Sequence, residues 1–506
     1  MSKTSTLPAP GSGPASSPLP PPAPRGAAPT AALGDSLAGA RAALSGLWRA
    51  AGMPAQALDR VELPGDGPVL PSSFAVADAA QSSLGAAALA AAEIGCLRGG
   101  PRQGVRVVRE HAVQESRGWF SLDGVTPPVW DKISGLYRCG EAVGAPGWVR
   151  VHANFAHHRD GALALLGCAP GPATQREAVA QALRHWRAQD FETQAAHAGL
   201  VAAAVRSFEQ WDRHPQAAAV AALATVQIDR LDDGAGTAPR AWPALDANAG
   251  PLAGLRVLDL TRILAGPIAC RTLAAYGADV LLLNSPRLPN IDAIAETSRG
   301  KRSAHVELRE EGGRETLRRL LHDAHVFVQG YRPGALAALG FGPEELVRAR
   351  PGLVVASLSA YGTTGPWAGR RGFDSLVQAA AGFNDAEAHA AGSATPQALP
   401  LQILDYGAGY LLAFGIQAAL RRQALEGGSW HVQVSLAGVG RWLRGLGRVA
   451  DGLAARRPEI APWLTSEPSG FGRLVGVRHA AEFSRTPAQW RLPSMPPGTH
   501  RPAWAA

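Results

Sequence analysis

The stretch PLAGLRVLDLTRILAGPIACRTLAAYGADVLLL, residues 251–283, decides the fold. LRVLDL (255–260) reads as a strand, the apolar run from Gly266 to Tyr276 as a helix, and ADVLLL (278–283), after Gly277, as a second strand. The pattern continues through SAHVEL (303–308), a helix near Gly313–His322, HVFVQG (325–330), a helix near Pro343–Ala349 and LVVASLS (353–359). Strands that alternate with helices, and that are apolar on both faces, predict a doubly wound parallel sheet in an α/β fold.

Upstream, the texture changes. A helix is predicted from about Ser36 to Ala51, then a long alanine-rich helix near Ala79–Leu97 and a strand VRVV at 105–108. Asp78, its helix, a Gly-containing turn and VRV (105–107) superpose without a gap, at an offset of 327, on Asp405, its helix, the turn EGGS (426–429) and VQV (432–434). One fold element thus reads as present twice. DGAGTAPRAWPALDANAG (233–250) separates the two patterned regions and is taken as a linker, and the Pro-, Ala- and Ser-rich residues 1–35 as a disordered tail.

Composition narrows the classes. The 506 residues are 46% hydrophobic and 18% charged, a globular balance with sizeable cores and two to four domains as the prior. The net charge of +8 comes mostly from dispersed Arg, with Lys only at 3, 132 and 301, so no dense basic tract indicates nucleic acid, whereas an anionic small ligand is compatible. Cys96, Cys139, Cys168 and Cys270 are scattered without metal-site spacing, and read as reduced thiols of a cytoplasmic protein. Residues 79–97 carry Gln81 and Glu93 among alanines, a poor membrane span and a good buried helix. No secretory signal is expected in residues 1–30.

Few residues stand out for chemistry. LDLTRILAGP (258–267) lies where such a sheet binds nucleotides, at the carboxyl end of a first strand, but without GxGxxG. Asp405 directly precedes a long apolar helix. It reads either as a helix cap or as an ionised, accessible carboxylate, favoured by the helix dipole and able to act as a nucleophile. His157, His158, His322 and His325 lack partners at ligand spacing and read as surface or turn positions.

The 251–283 stretch resembles the opening of the family III CoA-transferases, the CaiB/BaiF family. The resemblance continues through RGKRSAHVEL (299–308), VFVQGYRPGALAALGFGPEEL (326–346), ASLSAYGTTGPWAGRRGFDSLVQAAAGF (356–383) and LDYGAGYLLAFGIQAAL (404–420), five motifs in the family's order over about 170 residues. YRCGEAVGAPGWVRVHANFAHHRDGALALLGC (137–168) and RSFEQWDRHPQAAAV (206–220) are similar to the small domain that ordinarily follows the core, and GRLVGVRHAAEFSRTPAQWRLPSMPPGTHRP (472–502) to the family's terminal segment.

The resemblance implies a rearranged or fused member. Its order is a partial core-like segment (36–130), a small-domain-like region (131–232), the linker (233–250), the large-domain core (251–450) and a terminal segment (451–506). The implied fold is a Rossmann-like large domain with a smaller α+β domain. The implied activity is acyl-CoA:carboxylate CoA transfer through an aspartyl-CoA thioester, with Asp405 as nucleophile and Asp78 without a catalytic role. Ile263, Leu264 and Ala265 would line the adenine, Gly330, Tyr331 and Arg332 would border the pantetheine or phosphate path, and Arg371 would contact CoA. Coenzyme A would be a substrate, with a carboxylic acid as acceptor and no other cofactor or metal, and the assembly a homodimer. Family racemases use a histidine where this chain has Phe373, within Gly372–Phe373–Asp374. Phe373 cannot take a proton, so one of the two bases for α-proton exchange is missing; an acyl-CoA racemase or lyase of the same family is the alternative activity, and a non-catalytic CoA-binding protein the alternative class.

Overall fold

The structure is a computed structural model that describes residues 39–231, 237–239, 242, 244–246 and 248–505. The tail at 1–35 and part of the linker at 233–250 lie outside the described residues.

Seven strands form the central sheet: β1 (Gln227–Leu231), β2 (Arg256–Leu260), β3 (Asp279–Asn284), β4 (Lys301–His305), β5 (Val326–Gln329), β6 (Val354–Ser359) and β7 (Ser429–Ser435). Their spatial order is β4-β3-β2-β5-β6-β7-β1. Every pairing is parallel except β7 with β1, an antiparallel edge that the apolar pattern did not anticipate. From β2 the chain runs outward through β3 and β4, then returns to β5 on the other side. The carboxyl end of β2 therefore faces a crevice between connections that leave in opposite directions, where ligands of such sheets bind.

Val257, Leu258, Asp259 and Leu260 are all buried, as a strand covered on two faces requires. Asp259 is tolerated there because Lys301 Nζ on β4 reaches its carboxylate at 2.8 Å and also donates to the Pro267 carbonyl at 2.8 Å. The Asp259 carboxylate also accepts from the Thr261 backbone N–H at 3.0 Å, shaping the loop that follows β2.

Element edges moved by a few residues. β4 ends at His305 rather than at 308, since Glu307 leaves the ladder to accept from the Ser285 hydroxyl at 2.7 Å and the Arg309 N–H at 2.9 Å. The helix at Pro343–Ala349 falls where predicted.

Four helices matter for the site: α1 (Val76–Leu97), α2 (Ala265–Ala275), α3 (Asp374–Ala380) and α4 (Ile403–Glu426). The repeat-related α1 and α4 pack against each other, with Gln417 Nε2 donating to Ala87 O at 3.0 Å. Gly409 lets α4 approach α2, because a Cβ there would lie 2.7 Å from the Ala265 carbonyl oxygen. Both α1 and α4 are long and apolar enough to cross a membrane, yet 83% and 100% of their most apolar windows are buried inside the protein.

The early and late parts of the chain interleave. Strand Val105–Val107 lies between Val61–Glu62 and Ala481–Phe483, and Gly472–Val477 lies between Leu464–Ser469 and Phe120–Leu122. A buried polar cluster joins the same regions: Glu115 accepts from Arg271 Nη2 at 2.9 Å and from the Ala480 N–H at 2.7 Å, and lies 2.9 Å from His479 Nδ1. Residues 133–204 contain a three-stranded antiparallel sheet, Gly135–Cys139, Gly147–Val151 and Ala202–Ala204, with its own core of Tyr137, Val149, Leu163 and Phe191.

Candidate functional site

After β2 the chain turns through Thr261–Leu264 into α2. Ile263 sits in this turn at φ +77°, a conformation that crowds a β-branched side chain and persists only where the surroundings enforce it. Its reward is position, because Ile263 lines two cavities at once.

The larger cavity, about 590 Å³, opens over the carboxyl ends of β2, β3 and β5 and is lined by Arg262, Arg309, Arg332, Arg370 and Arg371, with Glu307 its acidic member. Burial lowers the pKa of both Arg262 and Arg371, and a neighbouring arginine cation adds to the effect in each. Guanidinium groups crowded in this way favour a polyanion that would relieve their repulsion.

The smaller cavity, about 120 Å³, is lined by Asp405 and Tyr406 from α4, Asp374 at the start of α3, Phe373, Ile263, Leu264, and His152, Asn154 and Trp130 from the first half of the chain. Ile263 and Phe373 line both cavities, which therefore adjoin at these residues.

Asp405 is only 7% exposed. It is not the helix cap. The carboxylate that holds the first turn of α4 is Asp374, which accepts from the N–H groups of Leu404 at 2.8 Å and Asp405 at 3.0 Å, and from the Gln378 side chain. Asp405 itself sits within the first turn, and its carboxyl is raised well above the ordinary range, first by burial and then by the Asp374 charge. Asp374 is pushed up to about 6 by burial, while its backbone and Gln378 donors pull the other way. The donors favour the pair's first negative charge on Asp374, and burial beside that charge favours the neutral form of Asp405. This corrects the expectation of an ionised, accessible Asp405 stabilised by the helix dipole: the dipole's donors are already committed to Asp374.

The other predicted residues divide. Gly330, Tyr331, Arg332 and Arg371 line the larger cavity, Leu264 only the smaller one, and Ile263 both. Ala265 lines neither; it is 2% exposed, with its carbonyl facing Gly409 of α4. His157 and His158 are not ordinary surface or turn residues, since both lie on helix Ala156–Leu165 and line the larger cavity, His158 being buried.

Asp374, His152, Asn154 and Trp130 were not assigned site roles from the sequence. Asp374 stood in the Gly372–Phe373–Asp374 motif, but its bond to a helix start thirty residues on has no local signature. The repeat-equivalent Asp78 is differently placed: it accepts from Arg109 Nη1 at 2.7 Å, and Arg109 is anchored on the Gly67 carbonyl at 2.8 Å.

Residues 252–456 match the CoA-transferase family III profile. An acyl-CoA transferase of Gibberella moniliformis is 31% identical over 334 residues, 62% of this chain and 58% of that protein. A succinate–glutarate CoA-transferase of Agrobacterium fabrum is 32% identical over 262 residues, 46% of this chain and 65% of that protein. Among solved structures, a CaiB/BaiF family protein from Brucella suis is 29% identical with a TM-score of 0.35, covering 44% of this chain and 65% of that one. The chain thus spans less than two thirds of the length of each of these three.

Proposed function

For a chain that carries a family III CoA-transferase segment at residues 252–456, we propose the activity of an acyl-CoA:carboxylate CoA-transferase with Asp405 as nucleophile. One observation carries this reading: a buried carboxyl lines a small cavity that shares Ile263 and Phe373 with a large cavity lined with arginines. The arginines suit the phosphates of CoA, and the adjoining cavities let the thioester end reach Asp405 while the acyl group enters the smaller space. On this reading the sheet is a doubly wound, Rossmann-like large domain, and residues 131–232 are a smaller α+β domain that closes over it.

The chemistry follows from one carboxylate. Asp405, once ionised, attacks the thioester carbonyl carbon; the C–S bond breaks, and the products are a mixed anhydride and CoA thiolate. The thiolate attacks the Asp405 carbonyl carbon, releasing the first acid as its carboxylate and leaving an aspartyl-CoA thioester. The acceptor carboxylate attacks that thioester, the thiolate leaves and then attacks the acceptor's acyl carbon, and Asp405 is freed. No net proton is consumed. Each intermediate is open to hydrolysis, and the small, buried cavity limits water.

Coenzyme A enters as substrate, its thiolate held between steps, and the proposed cycle calls on no metal or other cofactor. Four free thiols support a cytoplasmic setting, and a homodimer remains the proposed assembly. The test is acyl exchange by the full-length chain between a panel of acyl-CoAs and isotopically labelled free acids. Label entering the acyl-CoA pool of at least one pair is expected, and its absence across the panel would sink the reading.

A further inference from the structure

The smaller cavity contains a second chemically able side chain that the steps above leave idle. His152 follows strand Gly147–Val151, is only 6% exposed, and lines the cavity together with Asp405. Its ring stacks flat on Phe373, with centroids 4.0 Å apart and planes 11° apart, and meets Trp130 edge-on at 5.8 Å. Two aromatic rings therefore fix the imidazole plane. The ring makes no hydrogen bond to another residue among the described residues, and Nδ1 is buried without a partner. Nδ1 is closed off within the protein, so Nε2 is the ring nitrogen left to meet a group bound in the cavity.

We propose that His152 is a further catalytic residue of this site, its Nε2–H donating to the acyl carbonyl oxygen as Asp405 attacks. The proposal rests on the transferase reading and deepens it. When the Asp405 oxygen bonds to the carbonyl carbon, the π electrons move to the carbonyl oxygen. The oxyanion then returns them as the C–S bond breaks. A fixed donor beside that oxygen stabilises the charge without transferring its proton.

The electrostatics exclude the other role an imidazole might play. Burial, followed by the His158 and Arg150 charges, pushes His152 down to about 3. At neutral pH it is an uncharged ring with one proton, too weak a base to deprotonate Asp405 but well able to donate. The proposal assigns that proton to Nε2. It also gives the first half of the chain a chemical contribution to a site whose nucleophile lies in the second.

The test compares His152→Phe, which keeps a flat ring on Phe373, with His152→Gln, which places an amide donor near the Nε2 position. Full-length protein is mixed with an acyl-CoA that the wild type turns over. The rate of aspartyl-CoA formation is followed by rapid quench and mass spectrometry, and CoA affinity by calorimetry. His152→Phe is expected to slow adduct formation by about 10²–10³-fold with CoA affinity changed less than about threefold, and His152→Gln to recover at least about tenfold of that loss. Equal rates in wild type and His152→Phe overturn this proposal alone. Equal impairment of both variants with CoA binding lost also overturns it, by showing a structural role. A wild type that forms no adduct overturns the transferase reading, and this proposal with it.

Discussion

The Asp374 carboxylate occupies the start of α4, 2.8 Å from the Leu404 nitrogen and 3.0 Å from the Asp405 nitrogen, and so takes the donors that a nucleophile at Asp405 would otherwise use. Two carboxyls share one buried site, and only one of them is provided for as an anion. The neighbour that orders the helix also makes the proposed nucleophile a weaker acid.

Because Asp405 is raised by burial and by Asp374, and only its ionised form attacks, the turnover rate of the wild type should climb with pH through the upper ionisation of the pair. Asp374→Asn keeps an oxygen acceptor for the two N–H groups but removes the charge. The climb should move to lower pH in that variant, as measured by kcat across a pH series. An unshifted profile would show that Asp374 does not govern the nucleophile.

Stability should respond to Asp405 with the opposite sign. A carboxyl raised in the folded state favours folding below its unfolded value of 3.8 and costs stability as pH rises towards its folded value. Asp405→Asn, which cannot ionise, should abolish turnover and yet show a higher Tm than wild type at alkaline pH, with the difference shrinking on acidification. A Tm equal to or below wild type at every pH would contradict the burial argument.

Glu115 behaves in the reverse way. Burial alone would raise it, but His479, Arg271 and the Ala480 N–H together hold it at about 2. Its contribution is therefore complete above the unfolded value of 4.5 and is lost as pH falls towards about 2. Glu115→Ala leaves the fully buried Arg271 short of a partner and should cost about 3–5 kcal/mol in denaturant unfolding at neutral pH. The gap to wild type should narrow in acid.

The sequence made the parallel sheet legible because strands covered on both faces are apolar at consecutive positions, as in LRVLDL and LVVASLS. It also marked Asp405, through the apolar helix behind it. The antiparallel β1 was not legible: its half-exposed residues, QIDRL, lack both an apolar run and a clean alternation. The first-half wall of the smaller cavity was equally hidden, because His152 and Trp130 come to share a cavity with Asp405 only through tertiary packing. Arg109, which pairs with Asp78, lies thirty-one residues from it, so this partner of the repeat's first aspartate had no local signature.

That pairing yields its own expectation. Asp78→Asn should leave turnover within about threefold of wild type, since Asp78 lines neither cavity, while costing about 1–3 kcal/mol for an uncompensated Arg109. Steady-state kinetics and denaturant unfolding on the same preparation separate the two effects.

On the proposed cycle Asp405 itself becomes the CoA thioester. The measurement that bears on it most directly is peptide mapping by mass spectrometry after rapid quench of the full-length chain with an acyl-CoA substrate, alongside Asp405→Asn. A CoA adduct on the peptide containing Asp405, sensitive to hydroxylamine, absent from the variant and absent at Asp78, is the predicted result. An adduct on any other residue, or turnover in Asp405→Asn at the wild-type rate, would contradict it.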